Sequence, residues 1–398
     1  MYVYMTIILL YCAVYIITPR KYIGGLFAAF VAAMTVMAYY TVPAELDDLS
    51  RYYRSLEYIR DMSLKEFLVV LEEPQWFWSG MPTCGFYFYF ISKLQFNGFF
   101  PAITILLSYG SICLMLYKTA ERYNIGKWYL FLGSILLFIT FAFHGLVSGI
   151  RNGLTATIFC LCIYYELFEK KNKVLCWIGY IACIGMHASG IIMFLLMLAE
   201  VPNRKKNWLW YTIICGILVA MSSTLLQILG EHTDIQFFRT MAFKEDSYAN
   251  GNFEYGLGYY AKLVRFAVLA AYSVYCLQYI KKAGRYEEIA QFISYSLILT
   301  TYTTFVIPNE IYYSRIVGWA VPIMGSLVTM IGLSSQYDIR EKEENDKKKE
   351  SIVRHLTVLH TNELILNLVL IASILLLGWV VFFKSSLLTY VVGRSIQR

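Results

Sequence analysis

The stretch VLCWIGYIACIGMHASGIIMFLLMLAEVP, residues 174–202, decides the fold class because it is apolar throughout yet has basic residues on both sides. It is longer than the roughly 20 residues that a helix needs to cross a bilayer. Lys and Arg favour cytoplasmic connections, and one helix cannot begin and end on the same side. We therefore predict a re-entrant hairpin of two half-length helices, with its tip at residues 185–190, GMHASG. Irregular backbone at that depth requires contact with protein or water.

The composition places the whole chain in the same class. Of its 398 residues 58% are hydrophobic and only 15% are charged, and the mean hydropathy is +0.54. Soluble domains carry about 25% charged residues. Other runs of spanning length lie at residues 22–42, 208–229, 289–308 and 364–383. Because the alternation of a membrane β-barrel is missing, we expect an all-α polytopic membrane protein, a bundle of about ten to twelve transmembrane helices.

The basic residues cluster in alternate connections between the apolar runs. These clusters occupy residues 20–21, 118–127, 170–173, 204–206, 281–285 and 340–354. We place all of them in the cytoplasm, so the net charge of +7 sets orientation and does not indicate nucleic-acid binding. The apolar start of the chain precedes its first basic pair, which favours a first span with an outside N-terminus over a cleaved signal. The nine cysteines lie mostly in apolar runs and resemble small buried hydrophobes.

We treat residues 1–398 as a single integral membrane domain. Residues 43–84 are expected to form an extracytoplasmic loop whose helical spacing of apolar residues predicts an amphipathic helix on the membrane surface. Residues 230–257 form a second such loop. Residues 336–363, dense in charges of both signs, form a cytoplasmic loop with some helix.

Ionisable groups in or beside the spans are the candidates for chemistry, because burying charge in a membrane is costly. Arg151 opens a predicted span, followed by Asn152, and an Arg at a helix N-terminus forms an anion site. The alternative is an Arg whose head reaches the lipid headgroups. His187 lies at the predicted hairpin tip. It serves as a general base, as a hydrogen-bond donor to substrate, or merely as a hydrogen-bonded core residue.

Two further groups are predicted on the same outer face. Glu45, Asp47 and Asp48 follow the second span, and this carboxylate cluster is a metal site, a base or orienter of a sugar hydroxyl, or simply a solvated face. Asp48, Arg51 and Tyr52 share one face of the helix that follows. Glu310 and Arg315 bracket a short outside turn. They either pair with each other, or Arg315 binds phosphate at the start of the next span.

In order and sidedness these features resemble the EpsG-like and Wzy-like bacterial polysaccharide polymerases over about residues 30–335. The pieces that carry the resemblance are Asp48-Leu-Ser-Arg-Tyr52, Gly85-Phe86, residues 90–94, Arg151, His187-Ala-Ser189 and Tyr313-Ser-Arg315. The family often has Arg-Gln where this chain has Arg151-Asn152. It often has a Glu shortly before the Gly-aromatic pair, where this chain has Thr83-Cys84. The fold then resembles GT-C-like polymerases.

The resemblance implies a glycosyltransferase that polymerises undecaprenyl-pyrophosphate-linked oligosaccharide repeat units outside the cytoplasm, for O-antigen, capsule or exopolysaccharide. Arg151 and Arg315 would bind pyrophosphate, with Arg51, Tyr52 and Asn152 also contacting substrate. His187 or Asp48 would act as base, and Glu310 would orient a sugar or an arginine. No metal or cofactor is implied. The expected partners are the lipid-linked oligosaccharide, membrane lipid and a chain-length regulator protein, not nucleic acid.

Three rival functions remain open on sequence alone. A membrane glycosyltransferase that uses a polyprenyl-monophosphate sugar is poorly separated by sequence. A transporter or flippase of lipid-linked oligosaccharide should show internal repeats and charges along a path through the membrane, whereas the polar groups here gather on one face. A membrane acyltransferase should have a buried His reached from the cytoplasmic side.

Overall fold

A computed structural model describes residues 2–43, 47–73, 80–141, 143–200, 208–232, 239, 257–307 and 319–347. These parts of the chain are almost entirely helical and contain no strand, which confirms the all-α prediction. The helices are α1 (Tyr2–Ile17), a 3-10 turn (Arg20–Tyr22), α2 (Ile23–Tyr39), α3 (Asp48–Ile59), α4 (Leu64–Glu72), α5 (Pro82–Ser92), α6 (Phe99–Arg122), α7 (Lys127–Thr140), α8 (Phe143–Ser148), α9 (Ile150–Ile163), a π-helical turn (Tyr164–Phe168), α10 (Lys173–Met186), α11 (Ala188–Glu200), α12 (Trp208–His232), α13 (Leu257–Lys282), α14 (Tyr286–Phe305) and α15 (Ala320–Lys347).

Two of the described helices, Arg20–Tyr39 and Phe99–Arg122, are long and apolar enough to cross a membrane. Shorter apolar helices are also present in the described part of the chain, including the 14 residues of α10 and the 13 of α11. At 1.5 Å per residue these two reach only about 20 Å, less than the roughly 30 Å of a hydrocarbon core. The structure therefore shows an apolar helical bundle, and the count of ten to twelve spans stays a prediction.

The predicted spans coincide with helices where the structure describes them. Residues 22–42 and 208–229 correspond to α2 and α12, and residues 364–383 lie outside the described residues. The span at residues 289–308 falls in α14, where Ile289 has non-helical backbone angles (φ −119°, ψ 18°). This kink separates the acidic first turn of α14 from its apolar remainder.

The first helix is bonded along its length to α7. The hydroxyl of Tyr4 donates to the carbonyl oxygen of Phe138 at 3.1 Å, and that of Tyr15 donates to the carbonyl oxygen of Lys127 at 2.9 Å. Between them Tyr11 shares a hydrogen bond of 2.8 Å with Ser134. The partners run in opposite order along α7, so α1 and α7 are antiparallel.

Ion pairs gather at one end of the bundle. Arg122, which ends α6, donates to Glu288 at the start of α14 and bridges to Glu169 at 3.5 Å. Its hydrogen bond holds the pKa of the Glu288 carboxyl below the usual value. Arg285 pairs with Asp338 of α15. Together with the Arg20–Glu121 pair, these residues define what we call the charged end.

The opposite end of the bundle carries the start of α9. The rod formed by α9 and the π-helical turn contains 14 and 5 residues, so it separates the two ends by about 28 Å. That length is close to the thickness of a bilayer core. The arginines of the charged end and the candidate residues of α9 therefore lie at opposite ends of one helical rod.

Residues 43–84, predicted to hold one amphipathic helix, contain two short helices, α3 and α4, followed by the start of α5. Leu49, Tyr52, Leu56 and Ile59 form the buried face of α3, which packs on α5. The helices are separated because Lys93 Nζ bonds the carbonyl oxygens of Arg60 and Met62, just past the end of α3. The N-terminus of α4 is then fixed by a capping box between Ser63 and Glu66.

The two other predicted loops are described only in part. Residues 336–347 continue helix α15, so the first part of the predicted cytoplasmic loop is helical and the rest lies outside the described residues. Residues 230–232 end α12, and most of the loop at residues 230–257 is likewise outside the description.

Candidate active site

The long apolar stretch is interrupted at the predicted tip. Helix α10 ends at Met186, His187 is extended (φ −159°, ψ 147°), and α11 begins with the next residue. The ring centroids of Trp177 and Phe194 are 5.7 Å apart although 17 residues of helix would hold them about 25 Å apart. Helices α10 and α11 therefore fold back on each other.

Two glycines permit this close fold. A Cβ on Gly190 would lie 2.5 Å from the carbonyl oxygen of Cys183, so any side chain there would press against the backbone of α10. A Cβ on Gly185 would lie 2.5 Å from Oγ1 of Thr83, at the start of α5. The break between α10 and α11 is thus packed directly against α5.

A buried chain of hydrogen bonds joins the break to α9. Nδ1 of His187 lies 2.9 Å from Oγ of Ser189 and accepts a hydrogen bond of 3.2 Å from the Ser189 backbone N–H. Oγ of Ser189 bonds the side chain of Asn152 at 2.7 Å. All three side chains are less than a tenth exposed. Two residues predicted from sequence, Asn152 and His187, are therefore connected through Ser189.

Arg151, the neighbour of Asn152, contacts residues of α3 and of the segment before α5. Its Nε donates to the hydroxyl of Tyr52 at 3.4 Å, and its guanidinium lies 5.8 Å from the centre of that ring. Its Nη1 is 3.9 Å from Sδ of Met81. Tyr52 is buried on α3 and Met81 precedes α5. Arg151 therefore joins α9 to the outer helices α3 and α5.

Glycines around the start of α9 make room for a tryptophan. Methyl groups at Gly145 and Gly153 would lie 3.1 Å and 3.3 Å from the buried indole of Trp319. One at Gly149 would lie 2.9 Å from the carbonyl oxygen of Gly145. The spacing of four residues puts these glycines on one helical face, and Arg151, two residues from both Gly149 and Gly153, projects from another face. Trp319 therefore packs on the side of α9 that points away from Arg151.

The acidic residues at the start of α3 take separate positions. Asp48 pairs with Arg51, and both side chains are largely exposed, at 42% and 63%. Arg51 thus lies at the surface of α3 and not with Arg151. Asp47 accepts a hydrogen bond from Ser148, three residues before Arg151. Asp47, rather than Asp48, therefore ties α3 to the segment that leads into α9.

Glu310 and Arg315 lie outside the described residues. The candidate site, which we call the site end, consists of Tyr52, Met81, Arg151, Asn152, His187 and Ser189. Sequence reasoning gave Ser189 no role of its own, although its position two residues after a helix-breaking His is a signal for a capping contact. It missed Met81 and Ser148, for which the sequence offers no pattern.

The chemistry available at the site end is that of anion binding with hydrogen-bond donors. A guanidinium in the first turn of α9 adds its charge to the positive end of the helix dipole. Within the described residues no group of three or more His, Cys, Asp or Glu is arranged to hold a metal ion. The fold and the site together define a class: an apolar helical bundle with an arginine-centred polar site at one end.

Comparison of the sequence with models of known protein families identifies the family of this chain. The EpsG family model matches residues 25–342, which is most of the chain. The chain belongs to the EpsG family, a Wzy-like family of polysaccharide polymerases, and this membership gives the bundle its membrane character and its general polymerase role. No curated protein and no solved structure matches the chain.

Proposed function

We propose that this protein is a glycosyltransferase that polymerises undecaprenyl-pyrophosphate-linked oligosaccharide repeat units on the extracytoplasmic side of the bacterial cytoplasmic membrane. The observation that carries the proposal is the place of Arg151: it opens α9, contacts Tyr52 and adjoins the buried Asn152–Ser189–His187 chain. A pyrophosphate needs positive charge and several donors in one place, and the site end supplies both.

The charged end supports the proposed sidedness. Arg122, Arg285 and the basic connections near them belong on the cytoplasmic side by the positive-inside rule. The site end, about 28 Å away along the rod of α9, then opens outside. In this arrangement α10 and α11 enter and leave the membrane on the cytoplasmic side as a re-entrant pair, within a bundle of ten to twelve inserted helices similar to GT-C enzymes.

The reaction transfers the growing chain from its lipid carrier to a new repeat unit. A hydroxyl at the non-reducing end of the new unit attacks the anomeric carbon of the growing chain. The new C–O bond forms as the bond to pyrophosphate breaks, and the lipid pyrophosphate leaves with the electron pair. Arg151 and Arg315 stabilise that charge without a metal, and His187 or Asp48 accepts the hydroxyl proton. Tyr52 and Asn152 contact substrate at the site end, the exposed Arg51 contacts it at the surface of α3, and Glu310 orients a sugar or an arginine.

The test is polymer length made by purified protein in vesicles that contain a lipid-linked repeat unit. Arg151→Ala and Arg315→Ala should leave single units unpolymerised, while Arg20→Ala, which removes an arginine from the charged end, should make chains of normal length. Normal long chains from both site variants at normal protein levels would remove the assignment. Transfer of units across the vesicle membrane without chain growth would favour a flippase.

A further inference from the structure

The imidazole of His187 caps a helix as well as lining the site. His187 immediately precedes α11, and its Nδ1 accepts from the backbone N–H of Ser189, the second residue of that helix. This is the position from which N-cap side chains satisfy the unpaired N–H groups of a first turn. A nitrogen that accepts this bond carries no proton, so a neutral imidazole holds its proton on Nε2.

The partial positive charge at the N-terminus of α11 also favours an unprotonated Nδ1 on His187. A proton added to Nδ1 would break the cap and would set two N–H groups against each other. It would also place a positive charge at the positive end of α11. Both effects favour the neutral ring, and the site is buried, so neither is weakened much by water.

Asn152 and Ser189 complete this arrangement. Rotating an amide by 180° exchanges its oxygen and nitrogen without changing its shape. In the orientation that the structure shows, Oγ of Ser189 donates to Oδ1 of Asn152 at 2.7 Å. With the amide rotated, Asn152 donates to that Oγ, and Oγ then donates to Nδ1 of His187 at 2.9 Å. A carboxylate at position 152 accepts only, and it would draw the hydroxyl proton away from the imidazole.

We propose that Asn152 and Ser189 are positioning residues that hold His187 as the neutral Nε2–H tautomer, so that His187 donates a hydrogen bond to a phosphate oxygen of the leaving pyrophosphate and is not the base. This inference rests on the proposed function and narrows it. The proton of the acceptor hydroxyl then passes to a carboxylate of the Asp47–Asp48 pair at the start of α3. His187 acts beside Arg151 on the departing group.

The tautomer is measured directly by NMR of the full chain labelled with ¹⁵N-histidine, which has only five histidines. The His187→Gln variant assigns the resonance. The wild type should show an unprotonated Nδ1 and a protonated Nε2, and the isosteric Asn152→Asp variant should shift the proton towards Nδ1. The exposed Asn124→Asp variant is the matched control and should leave the ring unchanged. A wild-type ring protonated on Nδ1, or an Asn152→Asp ring identical to wild type, would overturn the proposal.

Activity gives an independent readout. A glutamine amide can donate from about the place of Nε2 but cannot accept a proton as a base. His187→Gln should therefore keep polymerisation within about 10-fold of wild type, while His187→Ala loses about 100-fold. Asn152→Asp and Ser189→Ala should lower kcat with little change in KM, and the double variant should be no worse than either single one.

Equal loss in His187→Gln and His187→Ala, with both variants folded by their melting curves, would show that His187 is the base and would contradict the inference. The His232→Gln variant, at the exposed end of α12, controls for the substitution itself. If the wild type makes no polymer at all, the proposed function fails, whereas the NMR experiment still decides the tautomer.

Discussion

Replacing Arg122 with alanine is expected to lower the free energy of unfolding by about 3 kcal/mol. The hydrogen bond to the Phe168 carbonyl oxygen, at 2.8 Å, is charge-assisted and contributes about 1.5 kcal/mol. The pair with Glu169, whose side chain is 12% exposed, adds about 1 kcal/mol. Glu288 is 45% exposed, so that pair adds only about 0.5 kcal/mol.

The assay uses the cysteines of the chain. All nine are free, and each except Cys12 is buried, so a fluorogenic thiol reagent reports unfolding of the protein in detergent. The expected fall in Tm is about 4 °C for a chain of this size. Arg20→Ala is the control. Arg20 pairs with Glu121, the neighbour of Arg122 on α6, and because this pair is more exposed, its loss should cost less than about 1 kcal/mol. Equal melting of Arg122→Ala and wild type would refute the argument that the charged end is held by these pairs.

The same pair predicts a dependence on pH. The pKa of Glu288 is lowered in the folded protein, mainly by the hydrogen bond from Arg122. Its stabilising effect is therefore present above the unfolded pKa and is lost as the pH falls through the folded pKa. The Tm difference between wild type and Arg122→Ala should therefore stay constant between pH 7 and about pH 5, and it should shrink as the pH falls below about 4. A difference that grows on acidification would contradict this sign.

Three other substitutions test separate parts of the structure. Arg151→Lys keeps the charge but loses the planar donor fork, so kcat/KM for the lipid-linked unit should fall about 10- to 100-fold, and unchanged kinetics would argue against bidentate binding. Gly153→Ala places a methyl 2.3 Å from Cδ1 of Leu146 and 3.3 Å from Trp319, and it should lower the Tm. A matched Gly110→Ala, whose methyl meets nothing within 4 Å, should not. Ser63→Ala removes the side-chain hydrogen bond that most lowers the pKa of Glu66, so that pKa should rise and α4 amides should exchange faster. The part of this effect that depends on the charge of Glu66 should be lost in acid, and the part due to the lost bond from the Glu66 backbone N–H should remain.

Much of the fold was predictable because it depends on apolar length and on the distribution of charge. The expected break at residues 185–190 coincides with His187, and the buried face of α3 matches the predicted apolar spacing. The separation of α3 from α4 was not predictable, because it depends on Lys93, which is distant in sequence. The helical continuation of residues 336–347 was underestimated because mixed charges, which suggest a solvated loop, also stabilise an exposed helix.

The sequence allowed us to predict the ionisable residues of the site, but it did not allow us to predict the residues that contact them. Arg151 and His187 stand out because they are ionisable residues among apolar neighbours. The role of Ser189 depends on a backbone N–H that only the extended conformation of His187 exposes. The burial of Trp319 against the start of α9 combines residues from distant parts of the chain, and no local pattern reveals such a contact.

The hydroxyls of Tyr4, Tyr11 and Tyr15 in α1 also constrain how that helix can move. They meet α7 at three heights, near residues 127, 134 and 138. Sliding α1 by one turn, about 5.4 Å, would break all three bonds at once, and rotating it would do the same. The N-terminal helix precedes the segment matched by the family. Only one position of this helix along α7 keeps all three hydrogen bonds, so its register is fixed.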